Sequence, residues 1–245
     1  KGPHQALQVS SGLLRGVGIL PEGINANPVV YDWAMKTAWE DGEPSVSDYI
    51  RDYIRYRYGK DNDNLTKAWN ILTRSIYGDF EIKGEGTFES IFCARPGMNV
   101  KNVSTWGPKR FQYDPEDIKD ALKLFIAAAP EFNGSATFDY DLADLARQVL
   151  ANHAREVYNR SMAVYGNGDA EGFSILADEF LRLLKIQDRL AGTQPDWLVG
   201  RWLDKASHYG NTVADRKLSE KNARMLITYW GPEIPSTRIH DYANK

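Results

Sequence analysis

From Pro44 onward the sequence keeps one period. Apolar residues recur three and four positions apart, the spacing of one helical face. DYIRDYIRYRYG puts Tyr49, Ile50, Tyr53, Ile54 and Tyr58 on such a face, with Ser45 or Ser47 as N-cap and Gly59 as terminator. Another helix covers roughly 65–77. A third runs over 114–129, where Asp114, Glu116 and Asp117 place acids in the first turn, favourable for the helix dipole. A long amphipathic helix over 139–165 carries Leu142, Leu145, Ala146, Val149, Leu150, His153 and Val157 on its apolar face. Helices over 172–190, 197–209 and 214–226 follow. No fixed-length repeat is present, so the pattern describes an antiparallel-type helical array rather than a solenoid. Residues 78–113 break it with Gly84, Gly86, Pro96, Gly97 and Pro108. Irregular stretches of that length are often functional.

The front of the chain differs. Residues 13–20 form a short apolar run interrupted by Gly16 and Gly18, which reads as a buried strand. Asn27 and Pro28 then fit the N-cap and first position of a helix over 27–39, with Val30, Trp33, Ala34, Thr37 and Ala38 on its inner face. That makes one βα unit with no second strand of its kind after it. The expectation is the last βα unit of an α/β barrel or sheet in residues 1–43. An all-helical C-terminal domain in 44–245 follows it, with truncation at both ends of the chain.

Composition removes several classes of function. The net charge is −3, without the basic balance of a nucleic-acid ligand. No apolar run approaches a membrane span, and the first residues lack a signal pattern. Cys93 is the only cysteine, so an internal disulfide and a thiolate metal cluster are ruled out; the expectation for it is an ordinary buried thiol. His4, His153, His208 and His240 form no metal-binding pair, and no metal or other cofactor is expected. Seven Trp and thirteen Tyr supply mostly core, with a minority available as stacking surfaces for a sugar ring.

Two places could carry chemistry. Glu22 sits between Pro21 and Gly23, after the expected strand and before the helix. In parallel α/β folds, active sites are built from such strand-end loops. A loop acid that caps a helix or pairs with Arg15 fits its position equally well. Trp230 stands in the stiff Trp230-Gly231-Pro232 loop, near His240 and Tyr242, either exposed for stacking or plugging a seam between helices.

Together these stretches carry a resemblance. Gly16-Val17-Gly18-Ile19-Leu20-Pro21-Glu22-Gly23-Ile24, continuing to Tyr31, and Trp230-Gly231-Pro232-Glu233 with Asp241-Tyr242-Ala243-Asn244-Lys245 resemble the α-N-acetylglucosaminidases of glycoside hydrolase family 89. Between them Arg57-Tyr58-Gly59, Ala68-Trp69, Arg74-Ser75-Ile76-Tyr77, Arg95-Pro96, Phe138-Asp139-Tyr140-Asp141-Leu142 and Arg147-Gln148 agree in order. The resemblance implies that residues 1–43 close a TIM-like (β/α)8 barrel and that 44–245 form the family's all-α domain. It implies retaining, exo-acting release of terminal α-linked N-acetylglucosamine, with Glu22 as nucleophile. It places Trp230, Ile239 and Tyr242 on the sugar pocket. The acid/base glutamate lies upstream in the family and matches no residue here, so the chain by itself is expected to be inactive. The implied partners are the glycan and the rest of the barrel, and the implied compartment is lysosomal or exported. Two other readings are a helical carbohydrate-binding or interaction module without chemistry, and a glycosidase that uses the substrate's acetamido group as nucleophile. The orphan βα unit favours an enzyme over a module, and no second acid stands near Glu22 to favour the acetamido route.

Overall fold

The computed structural model describes residues 5–6, 9–10, 12–20, 27–37, 39, 45–78, 88–101, 103 and 107–228. Among these, every regular element is helical. Helix α1 is Pro28–Lys36, α2 Val46–Tyr58 and α3 Asp63–Arg74. Then come α4, Pro115–Ala128, and the 31-residue α5, Ala136–Gly166. Then follow α6, Ala170–Ala191, α7, Val199–Ser207, and α8, Val213–Leu226. Single 3₁₀ turns occur at Ile91–Cys93, Ala129–Glu131 and Pro195–Trp197.

Local chemistry sets most of these boundaries. Helix starts leave backbone N–H groups unpaired, and short polar side chains satisfy them. Ser45 accepts from the Asp48 amide, Asn62 from Leu65, Asp114 from Glu116 and Asp169 from Gly172. Thr212 and Asp215 form a reciprocal capping box at α8. Ser45 is therefore the cap of α2, not Ser47. At its other end Gly59 takes a φ of 91°, the left-handed turn that closes a helix at little steric cost to glycine.

All five apolar residues expected on the inner face of α2 are buried. They join Leu65, Ala68, Trp69 and Leu72 of α3, Ile118, Ala121 and Phe125 of α4, and Phe138 of α5 in one cluster. A smaller cluster gathers Ile91, Ala154, Val157 and Leu183. Helix α5 contributes to both, packing on α4 at one side and on α6 and the 3₁₀ turn Ile91–Cys93 at another.

Several expectations are corrected. Residues 13–20 form no strand; Leu13 is 81% and Leu20 96% exposed. A strand's backbone donors need a neighbouring strand, and none exists among the described residues. Among the described residues the fold is all-helical, and no barrel strand is present. At the start of α1, Val29 is buried in place of Val30, which is exposed, while Trp33 and Thr37 face inward as expected. His153 is exposed beside Glu156, while its neighbours Asn152 and Arg155 are buried. A helix covered on two sides buries more than one stripe, so its apolar spacing understates its burial. Cys93 is exposed rather than a buried thiol. The expected boundary at 43/44 lies outside the described residues.

Candidate functional site

Glu22, Trp230, Ile239 and Tyr242 all lie outside the described residues. What the structure describes is the scaffold that meets the chain just after Glu22. Asn27 flanks α1, yet its side chain caps no backbone amide. Instead its Oδ1 accepts from the Tyr77 hydroxyl at 2.9 Å. One turn further on, the Tyr49 hydroxyl donates to the Val29 carbonyl and to Asp32 Oδ2, each at 2.9 Å. The Trp33 and Tyr49 rings pack at 4.7 Å. Two tyrosines from the helical array thus tie down the start of α1.

Behind them lies a buried polar network. Arg57 at the end of α2 grips Asp141 of α5 in a two-pronged ion pair, Nε to Oδ2 at 2.5 Å and Nη2 to Oδ1 at 2.7 Å. Both side chains are 15% exposed. The Tyr58 hydroxyl donates to the same carboxylate at 2.6 Å and accepts from Trp69 Nε1 at 3.2 Å. Trp69 stacks on Tyr77, with ring planes 16° apart. The route from Asp141 to Asn27 is therefore continuous through Tyr58, Trp69 and Tyr77.

The electrostatics agree with this geometry. Burial holds the Tyr77 phenol well above its ordinary range, helped by the charges of Asp144 and Asp141, so it stays protonated and donates to Asn27. Burial raises Tyr49 as well, with the hydrogen bond and charge of Asp32 adding to it. Burial pulls Arg57 down, and the bond to and charge of Asp141 outweigh it, so the guanidinium ends above its usual value. A second network joins Tyr113, Gln148 and Asn152 at 2.9 to 3.0 Å. Tyr140 accepts from Trp197 Nε1, and Arg147 lies over the Trp197 ring at 5.6 Å.

In the first network the charged groups satisfy one another. It holds a shape and presents no poised nucleophile or base. No group of three or more His, Cys, Asp or Glu side chains that could hold a metal occurs among the described residues. No described helix is long and apolar enough to cross a membrane. Sequence reasoning missed the Arg57–Asp141 and Tyr77–Asn27 pairings, although the signal was there. The separated segments Arg57–Gly59, Ala68–Trp69, Arg74–Tyr77 and Phe138–Leu142, noted above for their order, are the ones that meet in this network.

An all-α domain whose buried polar links converge on the segment entering its first helix is the class of molecule these features define. Residues 49–245 match the α-N-acetylglucosaminidase (NAGLU) C-terminal domain family, and the chain belongs to it. It is 30% identical to human α-N-acetylglucosaminidase over 249 aligned residues, covering 100% of this chain and 32% of that protein. A family 89 glycoside hydrolase from Clostridium perfringens in complex with PUGNAc matches with a TM-score of 0.90 and 35% identity. That match covers 100% of this chain and 27% of the bacterial one. A form of the Clostridium perfringens enzyme with two Glu-to-Gln substitutions, in complex with its substrate GlcNAc-α-1,4-galactose, matches with a TM-score of 0.88 and 35% identity. It covers 98% of this chain and 27% of that one. The chain thus spans about a third or less of the relatives it matches.

Proposed function

We propose that this chain serves a retaining, exo-acting glycoside hydrolase that releases terminal α-linked N-acetylglucosamine, with Glu22 as its nucleophile. The observation that supports this most is the anchoring of Asn27, which follows Glu22 by five residues, to the half-buried Tyr77. A nucleophile must be held within a fraction of an ångström of its working position, and fixing the loop beside it is one way to do so. The bacterial relative was captured with its substrate after two glutamates were replaced, as fits a mechanism run by two carboxylates.

In this reading ionised Glu22 attacks the anomeric carbon. An ester forms between its carboxylate oxygen and that carbon as the bond to the aglycone oxygen breaks. A second glutamate, about 5 Å away in retaining enzymes, gives the departing oxygen a proton. It then removes a proton from the water that cleaves the ester, restoring Glu22 and releasing the sugar. Trp230 packs on the sugar, Ile239 lines the same pocket, and the Tyr242 hydroxyl donates a hydrogen bond. No cofactor takes part.

The test is Glu22→Ala in the enzyme that carries this chain, assayed on an aryl α-N-acetylglucosaminide with and without azide. Turnover is expected to fall by several orders of magnitude, and azide is expected to restore product as the β-glycosyl azide. A retained rate in Glu22→Ala rejects the assignment. Tyr77→Phe, which deletes only the bond to Asn27, is expected to lower kcat by about tenfold.

A further inference from the structure

Residues 88–101 and 107–111 lie against α5 and with it border an open cavity of about 650 Å³. The loop is stitched in place. The Tyr158 hydroxyl donates to the Gly97 carbonyl at 2.9 Å and accepts from the Val100 amide at 2.7 Å. Asn99 adopts a left-handed φ of 59° and donates its amide to the Met162 sulfur. A glycine-free left-handed turn costs backbone energy, and it persists here under several fixed contacts.

The wall chemistry is one-sided. Lys101, Lys109, Arg110 and Arg155 line the cavity and no described acidic residue does, on a chain whose net charge is −3. Lys101, Lys109 and Arg110 are exposed at the rim, and none forms an ion pair among the described residues. Arg155 is 4% exposed. Its Nη1 donates to the Val100 carbonyl at 2.9 Å, but its Nε and Nη2 have no hydrogen-bond partner among the described residues. A buried guanidinium normally has a counter-charge, because desolvation disfavours its charged form. Here the partial substitutes are aromatic. The Phe88 ring lies 5.0 Å from the guanidinium carbon and Tyr158 6.0 Å from it. Phe88 in turn rests edge-on against Phe111 at 4.7 Å.

We propose that this cavity is an anion-binding site, separate in its evidence from the catalytic reading. It takes a compact oxyanion (sulfate, phosphate or carboxylate), free or carried on a sugar ring. The oxyanion seats first among Lys101, Lys109 and Arg110. A turn of the Phe88 ring uncovers Nε and Nη2 of Arg155, two donors side by side, which match two oxygens of the anion. The Phe111 face offers an apolar wall to whatever carries the anion. This supplies acceptors to the two Arg155 nitrogens that lack them among the described residues.

The test is isothermal titration of the full chain at constant ionic strength with inorganic sulfate, glucose 6-sulfate, glucuronate and glucose. Saturable binding of the charged probes and none of glucose is expected. Sulfate matching glucose 6-sulfate assigns the site to a free ion; tighter glucose 6-sulfate or glucuronate assigns it to a group borne on a sugar. Arg155→Met and the rim double variant Lys109→Ala/Arg110→Ala should each weaken binding by about tenfold or more, the loss of one charge-assisted hydrogen bond or of the attracting field. The rim variant changes only exposed side chains and keeps the test valid if Arg155→Met fails to fold. No saturable binding by any charged probe overturns the proposal. So does binding that the rim variant leaves unchanged, or glucose binding as well as glucose 6-sulfate.

Discussion

At the scale of single residues, Asp141 has the widest reach. It accepts three hydrogen bonds from two neighbouring residues of α2, and both partners of its ion pair are mostly buried. Removing one side of such a pair leaves the other charge stranded. Asp141→Ala is therefore expected to lower unfolding free energy by about 3–5 kcal/mol in urea titrations. Arg57→Met/Asp141→Leu, which removes both charges, should cost clearly less than the single change. Equal losses would show that the pair acts through shape alone. Helical spacing could not give this pairing, because Arg57 and Asp141 stand 84 positions apart; only the resemblance of the segments that hold them hinted at it. Spacing reports which face a residue occupies, not which residue meets it across the core. The proposed catalytic residues were legible only through resemblance. Glu22 has no local feature that separates a nucleophile from a capping acid.

At the scale of elements, legibility followed how many sides of a helix are covered. Helix α2 buries one stripe against the array, and its five inner residues and both ends follow from the spacing, Ser45 and Gly59. Helix α5 is enclosed by α4, α6 and the turn at Ile91–Cys93, so Asn152 and Arg155 went inside and His153 outside. The run at 13–20 failed for a different reason. Its apolar character is real, but a strand is a property of pairs, and Leu13 and Leu20 are exposed without one. The end of α2 gives a clean test of backbone chemistry. A Cβ at Gly59 would meet nothing within 4 Å, so Gly59→Ala changes only the strain of a positive φ. Its expected cost is about 1–2 kcal/mol, read as a lower urea midpoint with unchanged slope. A larger slope change would mean that the turn also shapes the unfolded chain.

At the scale of the whole molecule, two buried clusters share one helix. Phe125 is fully enclosed in the larger and Leu183 sits in the smaller. Phe125→Ala should cost about 3–5 kcal/mol and Leu183→Ala about 2–5 kcal/mol, since each leaves a cavity. The two belong to separate clusters, so the double variant should equal the sum within about 0.5 kcal/mol. A clear departure would show that α5 couples the clusters. That helix has a further consequence for how the molecule can change over generations. Inserting one residue advances an α-helix by about 1.5 Å and rotates everything beyond it by about 100°. Placed between Asp141 and Arg155, such an insertion would swing Arg155 out of its cavity wall while Asp141 stayed clamped to Arg57. The 31 residues of α5 thus behave like a keyed shaft, whose length cannot drift. Additions and deletions are expected instead in the loops on either side, where no phase has to be kept.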